Sequence, residues 1–174
     1  AAAKSVHHNY LNGLLYHICR IIANIKTLSS VYTLNYDLLM SAAILHDIGK
    51  LRELQMDSIG NAEYTMEGNL YGHLYLGAIM IREACSACGI DENSKTIQLL
   101  IHMILSHHGK MEYGAVKTPA TREAYVLHIL DDLDSKLWIY EDTMKNTEPG
   151  TFSQPNRWLD GAVVYNTYAN LNIQ

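Results

Sequence analysis

Between Val6 and about Leu28 the apolar residues Leu11, Leu14, Leu15, Ile18, Ile21, Ile22 and Ile25 recur at three- and four-residue spacing, which predicts a helix with one buried face. Asn35 is placed to cap a second helix, Tyr36 to His46, whose end Ala42-Ala43-Ile44-Leu45 is apolar throughout. The stretch from Glu53 to Leu70 is polar and interrupted by Gly60 and Gly68. It predicts a loop or small hairpin, with a short strand at Glu63-Tyr64-Thr65. Helical spacing resumes from about Tyr71 to Cys88, stopped by Gly89, and again from about Glu92 to His108, with Asp91 as its candidate cap. Thr118-Pro119 predicts the start of a last long helix with proline at its first position. Leu127, Leu130, Leu133, Leu137 and Tyr140 give that helix its apolar residues, and Glu148-Pro149-Gly150 ends it. The tail offers one short strand, Ala162 to Tyr165. The pattern predicts an all-α fold: one domain over residues 1–174, a helical bundle with a short hairpin or strand in its loops.

Composition narrows the classes. With 174 residues, 48% of them hydrophobic and 18% charged, the chain can bury a core and does not read as disordered. A net charge of −5 argues against binding a polyanion by bulk charge alone. A nucleic-acid substrate would need bound metal ions, a local basic rim or another domain. Cys19, Cys85 and Cys88 are an odd set that suits a reducing compartment. Cys85 and Cys88 match CxxC, but they lie in a helical pattern with no second pair and read as small buried helix residues. No apolar run reaches transmembrane length and no targeting segment is visible, so the expectation is a cytoplasmic protein without a membrane. The chain begins at Ala1 without methionine and reads as a C-terminal fragment of a longer protein, or as carrying added residues.

Nine histidines are the compositional oddity. His46-Asp47 closes the second helix, followed by Gly49 and Lys50. Imidazole and carboxylate side by side suit a divalent metal, and a carboxylate can bridge two. Gly49 can take the positive φ that ends a helix, and Lys50 is placed to meet a phosphate oxygen. Alone, the pair reads more simply as a buried His-Asp hydrogen bond. Yet His17, His73, His107 or His108, and Asp131 each fall on a different predicted helix. Such residues, projected inward from several helices, build dinuclear metal centres.

In these residues the chain resembles the HD-domain metal-dependent phosphohydrolase superfamily, whose pattern is H…HD…H…H…D, and within it the YhaM-type 3′→5′ exoribonucleases. The resemblance runs from about Val6 to Phe152. It is carried by His7-His8-Asn9-Tyr10, Gly13 to His17, Ile44 to Lys50, Glu63-Tyr64-Thr65, Gly72-His73, His102 to Lys110, Leu127 to Asp134 and Thr147-Glu148-Pro149-Gly150. It implies His17, His46, Asp47, His73, His107 and Asp131 as metal ligands, with Asp47 and Lys50 as catalytic residues. Asp47 would bridge two divalent ions, manganese favoured, iron or another divalent ion as alternatives. It implies the 3′ end of single-stranded RNA or ssDNA as substrate, cut to nucleoside 5′-monophosphates, with His8, His108 and Lys110 in substrate binding. The resemblance also implies an N-terminal OB-fold domain for single-stranded nucleic acid in the full-length protein, outside this sequence. Tyr16 stands where the branch usually has glutamate.

Asp132 and Asp134 rival Asp131, although the D-x-x-D spacing resembles the superfamily's last motif with Asp131 first, which leaves Asp134 to support a ligand or act as a cap. His107 and His108 point about 100° apart on a helix, so one ligand set is expected to use His107 and leave His108 to the substrate or to a supporting role. His102 and His128 read as hydrogen-bonded core histidines, Lys110 and Arg122 as candidates for a basic rim, and Tyr64, Tyr71, Tyr75 and Tyr113 as candidates for base stacking. Two other functions stay open: hydrolysis of small or cyclic nucleotides, and a nucleic-acid-binding or regulatory module with a structural metal site. Homo-oligomerisation is open as well.

Overall fold

Leu38, Leu39, Ala42 and Ala43 are all buried, and they lie on one short helix that is apolar nearly all round. That helix, α2 (Tyr36–Leu45), is the centre of the bundle. Packed against it are α1 (Gly13–Leu28), α5 (Lys95–Ser106) and α6 (Arg122–Lys145). Ile21, Ile25, Met103, Ile104 and Leu127 close the core around it. The computed structural model describes residues 13–56 and 62–167, so His8 lies outside the described residues. No described helix is long and apolar enough to cross a membrane. The fold is all-α apart from one small hairpin.

After α2 the chain makes one more turn of helix, α3 (Lys50–Glu53), and the two-stranded antiparallel hairpin β1 (Leu54–Met56) and β2 (Ala62–Tyr64), in which Leu54 pairs with Tyr64. It then enters α4 (Met66–Cys88), which packs on α3 and α5. The Asn35 cap forms, its side chain accepting from Leu38 N at 3.1 Å. Several sequence-based boundaries shift. Helix α4 begins at Met66 rather than Tyr71, capped by Thr65, whose hydroxyl accepts from Gly68 N at 2.9 Å. Ser94, not Asp91, caps α5, while Asp91 closes the turn before it by accepting from Asn93 N. Thr121 caps α6, so Pro119 precedes the helix instead of opening it, and the helix ends at Lys145, before Glu148. The tail forms no strand among the described residues. It makes two isolated bridges, Phe152 to Tyr165 and Asn156 to Ala162, and Leu159 and Val164 pack with Ile139 of α6 in a second small core. Cys85 is buried, but Cys88 is exposed, contrary to the reading of both as buried.

Two glycines shape the site. Gly72 has φ 70° and ψ 163° and kinks α4, which frees the His73 N–H from the helix ladder. Gly49 does not take the left-handed conformation expected of it: its φ is −59° and ψ −24°. It is glycine because α4 crosses at backbone contact. A β-carbon on Gly49 would lie 2.0 Å from the His73 carbonyl oxygen and 2.6 Å from Gly77 N.

Candidate metal centre

The end of the central helix delivers His46 and Asp47 to the middle of the bundle, where both are almost fully buried. Around them stand His17 from α1, His73 from just past the α4 kink, His107 and His108 from the end of α5, and Asp131 from α6. The ring nitrogens follow one plan. Nδ1 of His17 donates to Asp134 Oδ2 at 2.7 Å, His46 to Ala43 O at 2.9 Å, and His73 to Glu53 Oε1 at 3.1 Å. Likewise His107 donates to Ile104 O at 2.7 Å and His108 to Tyr113 O at 2.9 Å. Carbonyls and carboxylates only accept, so each Nδ1 carries a proton and each Nε2 is the atom turned to the cluster. Holding the far nitrogen in this way is how proteins fix metal-binding imidazoles.

The inward atoms crowd together. His17 Nε2 is 3.1 Å from Asp131 Oδ1, His46 Nε2 is 3.4 Å from Asp47 Oδ2, and Asp47 Oδ1 is 3.4 Å from His73 Nε2 and 3.7 Å from His107 Nε2. His73 Nε2 and His108 Nε2 are 3.2 Å apart. Among the described residues three donor sets have their atoms within 4.8 Å: His17, His46 and Asp131; His46, Asp47 and His107; His73, His107 and His108. The 100° argument therefore does not separate His107 from His108. His107 is the cap of α5, and both rings turn to His73.

A cation fits what this cluster lacks. His46 Nε2 and Asp47 Oδ1 are buried with no hydrogen-bond partner among the described residues, which is costly unless a positive charge is shared between them. Nitrogen and oxygen donors in overlapping triads suit a borderline divalent metal, and these sets could hold one or two such ions.

Charge follows the same logic. Burial would raise the Asp47 carboxyl, but the Lys50 ammonium at 2.6 Å from Oδ2, with His46, holds it well below the usual carboxylate range. Burial opposes and the His17 hydrogen bond prevails in holding Asp131 down as well. Burial works to lower His17, but Asp131 and Asp134 outweigh it and bring the imidazole to about 9. Arg20 Nε, 2.6 Å from Asp134 Oδ1, fixes that carboxylate in turn. Burial pushes His107 and His108 down, helped by neighbouring His46 and His73 respectively.

These shifts set the stability of the metal-free protein. His17 contributes stability that is full below its unfolded value of 6.5 and lost as the pH rises through about 9. The depressed His107 and His108 cost stability as the pH falls below 6.5, because only the unfolded chain then takes up their protons. Melting in EDTA should therefore peak near pH 6.5, with a loss of about 3 kcal/mol on the alkaline side. A flat profile from pH 6.5 to 9 would contradict the His17 carboxylate clamp.

Some expected residues stand elsewhere. Lys50 meets the Asp47 carboxylate, although it still lines the cavity over the cluster. Lys110 is exposed, pairs with Glu112 and does not line that cavity; Arg122 lines a separate apolar hollow beside Leu28 and Tyr32. Lys136 takes the rim position, 2.9 Å from Asp132. Of Tyr64, Tyr71, Tyr75 and Tyr113, Tyr113 alone lines the cavity. His128 also lines it, donating from Nδ1 to the His107 carbonyl at 3.0 Å, and His102 is half-buried, accepting from Ala120 N.

The sequence reading passed over Glu53 as the start of a loop. It is buried, and its Oε1 accepts from both His73 N and His73 Nδ1. Burial would raise its carboxyl, but the His73 hydrogen bond holds it low. Glu53→Ala should weaken divalent-metal affinity by about 10- to 100-fold, measured by competition with a chelating dye. Unchanged affinity would show that His73 needs no such anchor.

Comparison with known proteins gives a consistent picture. The HD domain family model matches residues 14–136. The chain is 39% identical over 165 residues to the 3′-5′ exoribonuclease YhaM of Shouchella clausii, covering 94% of this chain and 50% of that protein. It is 37% identical over 154 residues to the protein of that name from Bacillus subtilis, with 88% and 48% covered, and 40% identical over 154 residues to that of Geobacillus sp., with 88% and 46% covered. The chain thus spans about half the length of the curated relatives it matches. No solved structure matches it significantly.

Proposed function

The chain belongs to the HD-domain family, and we propose that it is the catalytic portion of a metal-dependent 3′→5′ exoribonuclease acting on single-stranded RNA, or ssDNA, in the cytoplasm. The observation that carries this reading is the ring of inward Nε2 atoms around Asp47, opening on a cavity of about 420 Å³ that Lys50 and Lys136 also line. The relatives that match nearly the whole chain bear the exoribonuclease name.

His17, His46, Asp47 and Asp131 would hold one ion and His73, His107 and His108 a second, with Asp47 shared between them. Manganese is the favoured metal. Two divalent ions, when bound, supply Lewis acidity to the phosphoryl oxygens and to the attacking water. The chain's own residues do the rest. Lys50 keeps Asp47 ionised. Asp134 and Glu53 orient His17 and His73. Lys136 offers charge to a phosphate at the rim, where Asp132 now holds it. Attack on the terminal phosphodiester, in line with the departing 3′-oxygen, would leave a nucleoside 5′-monophosphate. The part of the full-length protein not present here would capture the strand, which the −5 charge of this chain does not favour.

The test is digestion of 5′-labelled single-stranded RNA with manganese. A descending ladder with 5′-monophosphate release supports the reading. Intact RNA together with hydrolysis of a cyclic dinucleotide would replace it with small-nucleotide hydrolysis, which the acidic balance also fits.

A further inference from the structure

The cavity has a wall that the HD segment does not supply. The family match ends at residue 136, and Trp158, which lines the same cavity as His107 and His108, comes from the tail. Trp158 sits on the short 3-10 turn η2 (Arg157–Leu159), and that turn is held hard. Asn156 Oδ1 accepts from Trp158 N at 2.9 Å and its Nδ2 donates to Thr143 Oγ1 on α6 at 2.7 Å. Asn156 O accepts from Leu159 N at 3.0 Å and from Gly161 N at 2.9 Å. Leu159, next along, is buried against Ile139 and Val164. A half-exposed tryptophan on so fixed a turn is a preformed platform, with little ordering left to do when a ligand arrives.

One face of the indole is already covered. The Arg157 guanidinium lies 4.5 Å from the ring centroid. Arg157 lines a neighbouring surface hollow and not the catalytic cavity, whereas Trp158 lines both. The guanidinium therefore covers the indole from the neighbouring hollow, and the part of the ring that lines the cavity is left for a flat ligand. Taking the site as the phosphodiesterase centre proposed above, we propose that Trp158 stacks on the base of the nucleotide whose phosphate sits at the His-Asp cluster. Trp158 is then a specificity-determining residue: it reads the presence of a base while Lys136 and the cluster hold the phosphate. Base stacking on an aromatic ring tolerates every base.

The chain has two tryptophans, Trp138 and Trp158, so Trp138→Phe leaves Trp158 as the sole reporter. The manganese-loaded W138F protein is titrated with adenosine 5′-monophosphate and with ribose 5-phosphate, which keeps sugar and phosphate but has no base. The expected result is saturable quenching by the nucleotide, none by the sugar phosphate, and about tenfold weaker binding of the sugar phosphate in competition. W158A should bind both compounds equally weakly at an unchanged melting temperature, and W158F should restore most of the difference. Nucleotide binding without quenching, no nucleotide binding at all, or W158A binding the nucleotide as tightly as the parent would each overturn the proposal. The quenching readout needs no change at position 158. Failure of the exonuclease reading shows separately, as intact RNA despite a quenched Trp158. A normal RNA ladder from W158A with an unaltered KM would overturn the stacking alone.

Discussion

Asp47→Ala should abolish hydrolysis, by at least about a thousandfold, and strip the metal from the protein. Asp47 is 1% exposed, and both of its oxygens face into the cluster. Oδ2 faces Lys50 at 2.6 Å and His46 at 3.4 Å, and Oδ1 faces His73 and His107. Its oxygens face members of both proposed ligand sets, so its loss removes negative charge from each. Removing a single preorganised electrostatic group in an active site costs about two to three powers of ten, and a shared ligand should cost more. Lys50, 11% exposed, is then left beside imidazoles with its partner gone, and a broken buried pair costs about 3–5 kcal/mol. Asp47→Asn keeps the shape and separates the two effects: it should fold more stably than the alanine variant and be equally inactive. Metal content, rate and melting temperature on the same samples check all three statements. Metal and activity both retained in Asp47→Ala would refute the site.

Gly49→Ala should cost about 3 kcal/mol or more, although the backbone there is ordinary helix that alanine adopts freely. The penalty is purely one of space. The added carbon would lie 2.0 Å from one backbone atom of α4 and 2.6 Å from another, and backbone cannot rotate aside. Relief requires α4 to move away from the HD turn, and α4 carries His73. The variant should therefore lose metal affinity along with stability, unlike a substitution that only empties the core. Denaturant melts and a metal titration test this. A drop below about 1 kcal/mol would show that α4 can back off freely.

The pattern of apolar positions was enough to place five long helices, because each of them buries one face; on α2 that face is Leu38, Leu39, Ala42 and Ala43, while Asp37, Ser41 and Ile44 stay exposed. It misplaced the start of α4. Glu67, Gly68 and Asn69 look like loop residues, but Gly68 is there because Glu53 O would lie 2.2 Å from its β-carbon. A glycine demanded by close approach reads in sequence like one that breaks a helix. The same ambiguity hid the role of Gly49. Of the candidate site, His17, His46, Asp47, His73, His107 and Asp131 are drawn from five elements into one cluster, which their helical positions and the family pattern foreshadowed. His108 joined it because α5 ends at Ser106, so the angular spacing of an unbroken helix did not apply. Glu53 and Trp158 carried no local signal: one is seven residues from His46 in a polar stretch, and the other lies in a tail whose path depends on Asn156 and Asn166 bonding back to α6 and the turn after it.

The most direct test of the central claim is a count of bound manganese per chain by equilibrium dialysis. Two ions at saturation, falling below one in Asp47→Ala, is the result expected of a cluster in which a single aspartate faces both proposed ligand sets. No bound manganese, or the same number in both proteins, would mean that the histidines and aspartates at the heart of this bundle are held together for another purpose.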